Sequence, residues 1–159
     1  MESTASQIAD LLEDTPLFAD LSRAEIVKAA SAFRLVEGPA GQRLLGEGEP
    51  VRKLYFLQSG DASVLKADDA GRPVVISIVG KGTVVGEMSL LDNASASATV
   101  VAKTPFRALE LDRAAFLQMM EGYPVLGFKV FRKFARITSL RLRMASGQLA
   151  EYMAPPRQD

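Results

Sequence analysis

One short stretch combines residue types that could do chemistry: Gly86-Glu87-Met88-Ser89-Leu90-Leu91, followed by serines at 95 and 97. A strand ending at Gly86 can turn sharply there, because glycine lacks a Cβ, and can bring its backbone close to a ligand. Glu87 to Leu91 then fit one helical turn, whose unpaired N–H groups make a small seat for an anion. The Glu87 carboxylate beside that seat can accept hydrogen bonds from sugar hydroxyls. Ser95 and Ser97 can donate to the same anion. The same residues also fit a plain turn glycine and a solvated glutamate.

Other chemistries are removed by what the chain lacks. With no histidine, Ser-His-Asp catalysis, imidazole metal sites and phosphohistidine relays are excluded. With no cysteine, so are disulfides, zinc ribbons and thiol nucleophiles. Asp68 and Asp69 precede Gly71 with no further carboxylates for a metal and read as turn chemistry. Nineteen basic residues balance nineteen acidic ones, whereas a dedicated nucleic-acid binder carries a basic surplus. The hydrophobic share of 48% and charged share of 24% over 159 residues describe one soluble globular domain. The longest stretch free of charged residues, Asn93 to Ala102, is too short to span a bilayer, and the N-terminus has no signal-peptide pattern. The expected location is the cytoplasm.

The elements that must position the stretch fall into three blocks. In the first, Thr4-x-x-Gln7 reads as a capping box before Ile8, Leu11 and Leu12, and Thr15-Pro16 stops that helix. A second capping box, Ser22-x-x-Glu25, precedes Ile26, Ala29, Ala30 and Phe33 at i, i+3, i+4 and i+7.

From Arg34 onward, short β-branched and aromatic runs alternate with glycine-rich turns. The runs are 42–45, 53–57, 62–67, 74–79, 98–102 and 107–111. Such spacing predicts an antiparallel sandwich or barrel.

The last block opens with Asp112 as N-cap of a short helix carrying Phe116, Leu117 and Met120. Gly122-Tyr123-Pro124 breaks it, and Pro124 starts a helix of more than twenty residues, to Ser146. The expected boundaries are a helical segment at 1–33, the β region at 34–111, C-terminal helices at 112–147 and a tail at 148–159, irregular from Pro155. Six basic residues and no acidic one lie between Gly122 and Ser146. At 100° per residue Lys129, Arg132, Lys133, Arg136 and Arg143 share one face, while Val130, Phe131, Phe134 and Ile137 occupy another. The basic face reads as solvated, or as a surface for an acidic partner, an acidic membrane, or the N-terminal block with Asp10, Glu13, Asp14 and Asp20. Met119, Met120 and the phenylalanines at 128, 131 and 134 read as core.

Taken in order, Gly46-Glu47-Gly48-Glu49, Leu54-Tyr55-Phe56-Leu57-Gln58-Ser59-Gly60, Gly86-Glu87-Met88-Ser89-Leu90-Leu91 and Asp112-Arg113-x-x-Phe116 resemble the cyclic nucleotide-binding domain family. That family includes the sensor domains of catabolite-activator-type regulators and of cyclic-nucleotide-dependent kinases. The resemblance runs from about Pro16 to Ser146. It implies a mainly β fold with flanking helices, an eight-stranded antiparallel jelly-roll barrel between N-terminal helices and a long C-terminal helix.

By this resemblance Gly86 to Ser89 form the phosphate-binding cassette. Glu87 takes the ribose 2′-hydroxyl, and Met88 and Ser89 offer backbone N–H groups. The family's phosphate-pairing arginine falls at Ala96, followed by Ser97 and Ala98, and no arginine or lysine lies between Asp92 and Ala102. An arginine from the long helix could reach in instead.

The implied ligand is cyclic AMP or cyclic GMP, bound weakly or atypically, with no cofactor and no metal. Two functions stay open: a stand-alone regulatory sensor relaying through its C-terminal helix, or a degenerate nucleotide fold acting only as a protein-interaction module. Self-association as a homodimer is expected through Val130, Phe131, Phe134 and Ile137; the sequence names no other protein partner. An enzyme on a jelly roll loses its usual metal ligands with the histidines, so no enzymatic activity is expected. Thirteen residues follow Ser146, fewer than a helix-turn-helix needs, so no direct DNA binding is expected.

Overall fold

The computed structural model describes residues 4–153. Helix α1 (Thr4–Glu13), a 3-10 turn (Pro16–Phe18) and α2 (Arg23–Ala30) form the N-terminal block. The strands are β1 (Phe33–Gly38), β2 (Arg43–Leu45), β3 (Lys53–Ser59), β4 (Ala62–Ala67), β5 (Pro73–Val79), β6 (Val84–Val85), β7 (Thr99–Ala102) and β8 (Phe106–Asp112). A short α3 (Ser89–Asp92) lies between β6 and β7, and α4 (Arg113–Gly122) and α5 (Pro124–Met153) follow β8.

The eight strands do not close into the expected barrel. They form two antiparallel four-stranded sheets, in the orders β1-β8-β3-β6 and β2-β7-β4-β5. The physical reason lies at the edges: β6 lasts only two residues before Gly86 turns the chain away, and among the described residues it pairs with β3 alone.

Strand β3 explains why its sequence is a continuous apolar run. With side chains alternating between faces, Leu54 and Phe56 enter a core shared with α1, α2, α4 and α5. Tyr55 and Leu57 enter a second core with Leu44, Val85, Val100 and Ala102 of neighbouring strands. A strand buried on both faces has no room for a polar alternation. In β8, Leu109 and Leu111 join the first core, and Phe106 and Ala108 the second. Phe18, Phe33 and Phe56 knit the first core together with ring centroids 5.5–6.0 Å apart.

The Ser22 capping box is present: Ser22 Oγ accepts from the Glu25 N–H at 3.3 Å, and Glu25 Oε2 accepts from the Ser22 N–H at 2.8 Å. Asp112 caps α4 by accepting from Ala115 N–H at 2.9 Å. The capping box at Thr4 and the tail from Pro155 fall outside the described side chains.

Helix α5 outlasts its expected end at Ser146 and reaches Met153. Gly147 costs about 1 kcal/mol relative to alanine, too little to end a helix continued by Gln148, Leu149, Ala150 and Glu151. Leu126, Val130 and Phe134 bury against the N-terminal block and α4. From Ser139 to Met153 every described side chain is exposed.

This placement corrects the expected contact stripe. Val130 and Phe134 are 2% and 6% exposed within the chain's own core, and Ile137 packs against that core. Phe131 alone of the four is open, at 50%. The i, i+4 spacing that reads as an interface instead fastens α5 to its own chain. The basic face is partly spent the same way. Lys129 sits 2.9 Å from Glu25 and Lys133 3.5 Å from Asp20, so the N-terminal block is its acidic partner. Asp10 and Glu13 pair with Arg23 instead.

Candidate functional site

Between the two sheets' ends and α3 lies a cavity of about 470 Å³. Its lining includes Gly86, Glu87, Met88, Ser89, Ala96, Ser97 and Ala98 together with Arg141 from α5. All seven positions singled out in the sequence therefore share one cavity.

Gly86 begins the site because only glycine fits there. Its φ is 91°, and a Cβ would sit 3.2 Å from Val51 Cγ1 and 3.3 Å from the Lys53 carbonyl oxygen. After it the backbone closes a tight turn: Ser89 N–H donates to the Gly86 carbonyl at 3.3 Å and Leu90 N–H to the Glu87 carbonyl at 3.1 Å. The expected donor at Ser89 is thus already engaged, because a turn this short bonds i to i+3. Ser89 is buried, and its hydroxyl donates to the Ala94 carbonyl at 2.9 Å, holding the loop after α3 against its start. Asn93 makes that reversal at φ 55°, and Asp92 Oδ1 accepts from Ala94 N–H at 3.0 Å.

The opposite wall is pinned by the Gly46–Glu49 turn. Ala96 N–H donates to the Glu49 carbonyl, and Gly48 N–H donates to the Ala96 carbonyl, both at 2.9 Å. Ala96 is 8% exposed, so a longer side chain there has to grow into the cavity or displace that turn. Lys66 donates to the Ser97 carbonyl at 2.9 Å and lies 3.8 Å from Glu47; it is not among the residues lining the cavity.

The electrostatics centre on Glu87. Its side chain is 20% exposed, and burial pushes its carboxyl above the ordinary carboxylate range, offset in part by its own backbone N–H and by Arg141. Arg141 Nη1 donates to Glu87 Oε1 at 3.1 Å. Sequence reasoning gave Arg141 no specific role, although one signal was available: it is the single basic residue of α5 that falls off the shared basic face. Arg113, the first residue of α4, donates from Nε to the Ser89 carbonyl at 2.8 Å. No cluster of acidic residues among the described residues could hold a metal ion.

A family model described as the cyclic nucleotide-binding domain matches residues 35–123, from β1 to the residue before α5, more than half of the chain. The chain belongs to the cyclic nucleotide-binding domain family. A cyclic nucleotide-binding domain from Methylobacillus flagellatus superposes with a TM-score of 0.78 at 28% identity, covering 97% of this chain and 86% of that one. The cAMP-dependent protein kinase regulatory subunit of Aspergillus fumigatus is 35% identical over 69% of this chain, which spans only 26% of that protein.

The regulatory subunit of a cAMP-independent protein kinase A from Trypanosoma brucei is also similar. In one solved form, three replacements (glutamate to alanine, threonine to arginine, valine to alanine) accompany bound cAMP in its A site. That form superposes at a TM-score of 0.71 and 28% identity, covering 86% of this chain and 49% of that one. The matched segment carries Gly86 and Glu87 just after β6; Arg141 lies beyond it.

Proposed function

We propose that the chain is a regulatory cyclic nucleotide-binding module that takes cyclic AMP or cyclic GMP weakly or atypically and relays occupancy through α5. The observation that carries this reading is the cavity itself. It keeps the Gly86 turn and the Glu87 carboxylate, yet its cassette wall offers Ala96 where a phosphate needs a cation. Removing one member of a buried charge pair costs roughly 2–5 kcal/mol, on the order of 30- to 3,000-fold in affinity.

The trypanosome subunit supports the need for an arginine in a pocket of this fold. It is described as cAMP-independent, and the form that gains an arginine is described as bound to cAMP. The test is calorimetric titration of wild type and Ala96→Arg with cyclic AMP and cyclic GMP. Tighter binding by the variant supports the reading. Normal folding with no gain refutes it.

A second reading, a pure protein-interaction module, is favoured by one observation: Val74, Val75, Ile76 and Ile78 of the edge strand β5 are all exposed. Self-association through α5 fits either reading. Phe128, Phe131, Ala135, Thr138, Leu142, Ala145 and Leu149 follow alternating spacings of three and four, the seam of a two-stranded coiled coil.

A further inference from the structure

We infer that Arg141, carried into the cavity by α5, is its anion-binding residue, with Glu87 as the resting counter-ion. The inference rests on the nucleotide reading above and deepens it by naming the group that meets the phosphate. Among the described lining residues Arg141 is the sole cation; it bonds Glu87, and Asp92 adds a second carboxylate to the lining. A cyclic phosphodiester entering without Arg141 would meet two carboxylates, the Ser95 and Ser97 hydroxyls and backbone dipoles, and no cation. Lys66, the next cation at that wall, is held by the Ser97 carbonyl and stays outside the lining.

The geometry suits a bridging role. A guanidinium presents five donors in a planar fork. Here a single donor, from Nη1, goes to Glu87 Oε1. Arg141 therefore need not abandon Glu87 to bind an anion: it can lie between the two, donating to each, while Glu87 Oε2 remains to accept sugar hydroxyls. At 55% exposure its side chain has room to make that adjustment. The ligand class is a nucleotide that carries an anionic phosphodiester and a free sugar hydroxyl together. Because Arg141 stands eighteen residues into α5, anion affinity then depends on where α5 lies.

The test titrates cyclic AMP and adenosine, its uncharged counterpart, into wild type, Arg141→Gln, Ala96→Arg and the double variant. Hydrogen bonds to charged groups set the scale: Arg141→Gln is expected to weaken cyclic AMP about tenfold or more and adenosine less than about threefold. With arginine at position 96 the loss is expected to shrink. Equal weakening of both ligands, or of neither, overturns the inference. If only the Ala96→Arg proteins bind cyclic AMP, the nucleotide site stands and the role of Arg141 falls. If none of the four binds it, both fall.

Discussion

Arg113 and Ser89 join α4 to α3: the guanidinium Nε at the start of α4 donates to the carbonyl at the start of α3, which lines the cavity, across 2.8 Å. This bond fixes the cassette turn to the corner where β8 ends. Its loss leaves a half-buried carbonyl without its charged donor. Arg113→Ala is expected to cost roughly 1–3 kcal/mol by urea denaturation. It should also speed hydrogen exchange at Leu90, whose N–H closes the turn. Unchanged exchange would show that the bond does not hold α3.

Gly86→Ala is expected to be more local. A side chain at φ 91° is strained, and its Cβ crowds Val51 and the Lys53 carbonyl. The penalty should be about 1–3 kcal/mol in the denaturation midpoint, with any cyclic-nucleotide affinity of the protein falling as well. Gly71→Ala, at a similar φ but with nothing near its Cβ, separates backbone strain from crowding.

Ala96→Arg should strengthen cyclic AMP binding by roughly 2 kcal/mol or more, read by calorimetry. Adding Glu87→Ala should remove part of that gain, since the sugar hydroxyls lose their acceptor. Without ligand, the new cation in a buried wall should lower the melting temperature of Ala96→Arg slightly.

The raised carboxyl of Glu87 has a definite pH consequence. Folding favours its protonated form, so wild type binds more protons folded than unfolded around the carboxylate range. Its contribution is most favourable below the unfolded pKa and declines as pH rises through the folded one. Glu87→Gln should therefore be more stable than wild type at neutral pH, and the difference should vanish in acid. Thermal melts from pH 3 to pH 8 check it. A gap that widens on acidification would mean the Arg141 pair outweighs burial.

Self-association is expected through the open side of α5. Light scattering at micromolar concentration should give about twice the 17.1 kDa chain mass for wild type. Leu142→Asp should halve it, because a charge at the seam of a coiled coil is desolvated without a partner. A wild-type monomer refutes the seam.

Much of this was legible in the residues. The β4 limits, the Ser22 box, the Asp112 cap and the Pro124 start each depend on local chemistry, and local chemistry is what a sequence displays directly. The positions that share the cavity could be picked out because the resemblance fixes their order. What escaped was set by distance. Whether the strands close depends on edge pairing between residues far apart in the chain. Which side of α5 is covered depends on the N-terminal block, so Val130 and Phe134 pointed to an interface while lying inside. The Arg141 contact links positions 54 residues apart. No local spacing announces that.

Seen as mechanics, α5 is a boom anchored at one end. Thirty residues at 1.5 Å each make a rod about 45 Å long. Its apolar fastenings, Leu126, Val130 and Phe134, and the Lys129–Glu25 clasp lie in the first half, close to Tyr123, with the Arg141–Glu87 bond as a tie beyond them. A rotation of about 10° at Tyr123 sweeps the far tip through about 8 Å while the anchored turns shift by about 2 Å. A shift at the anchored turns would thus be magnified about fourfold at Met153.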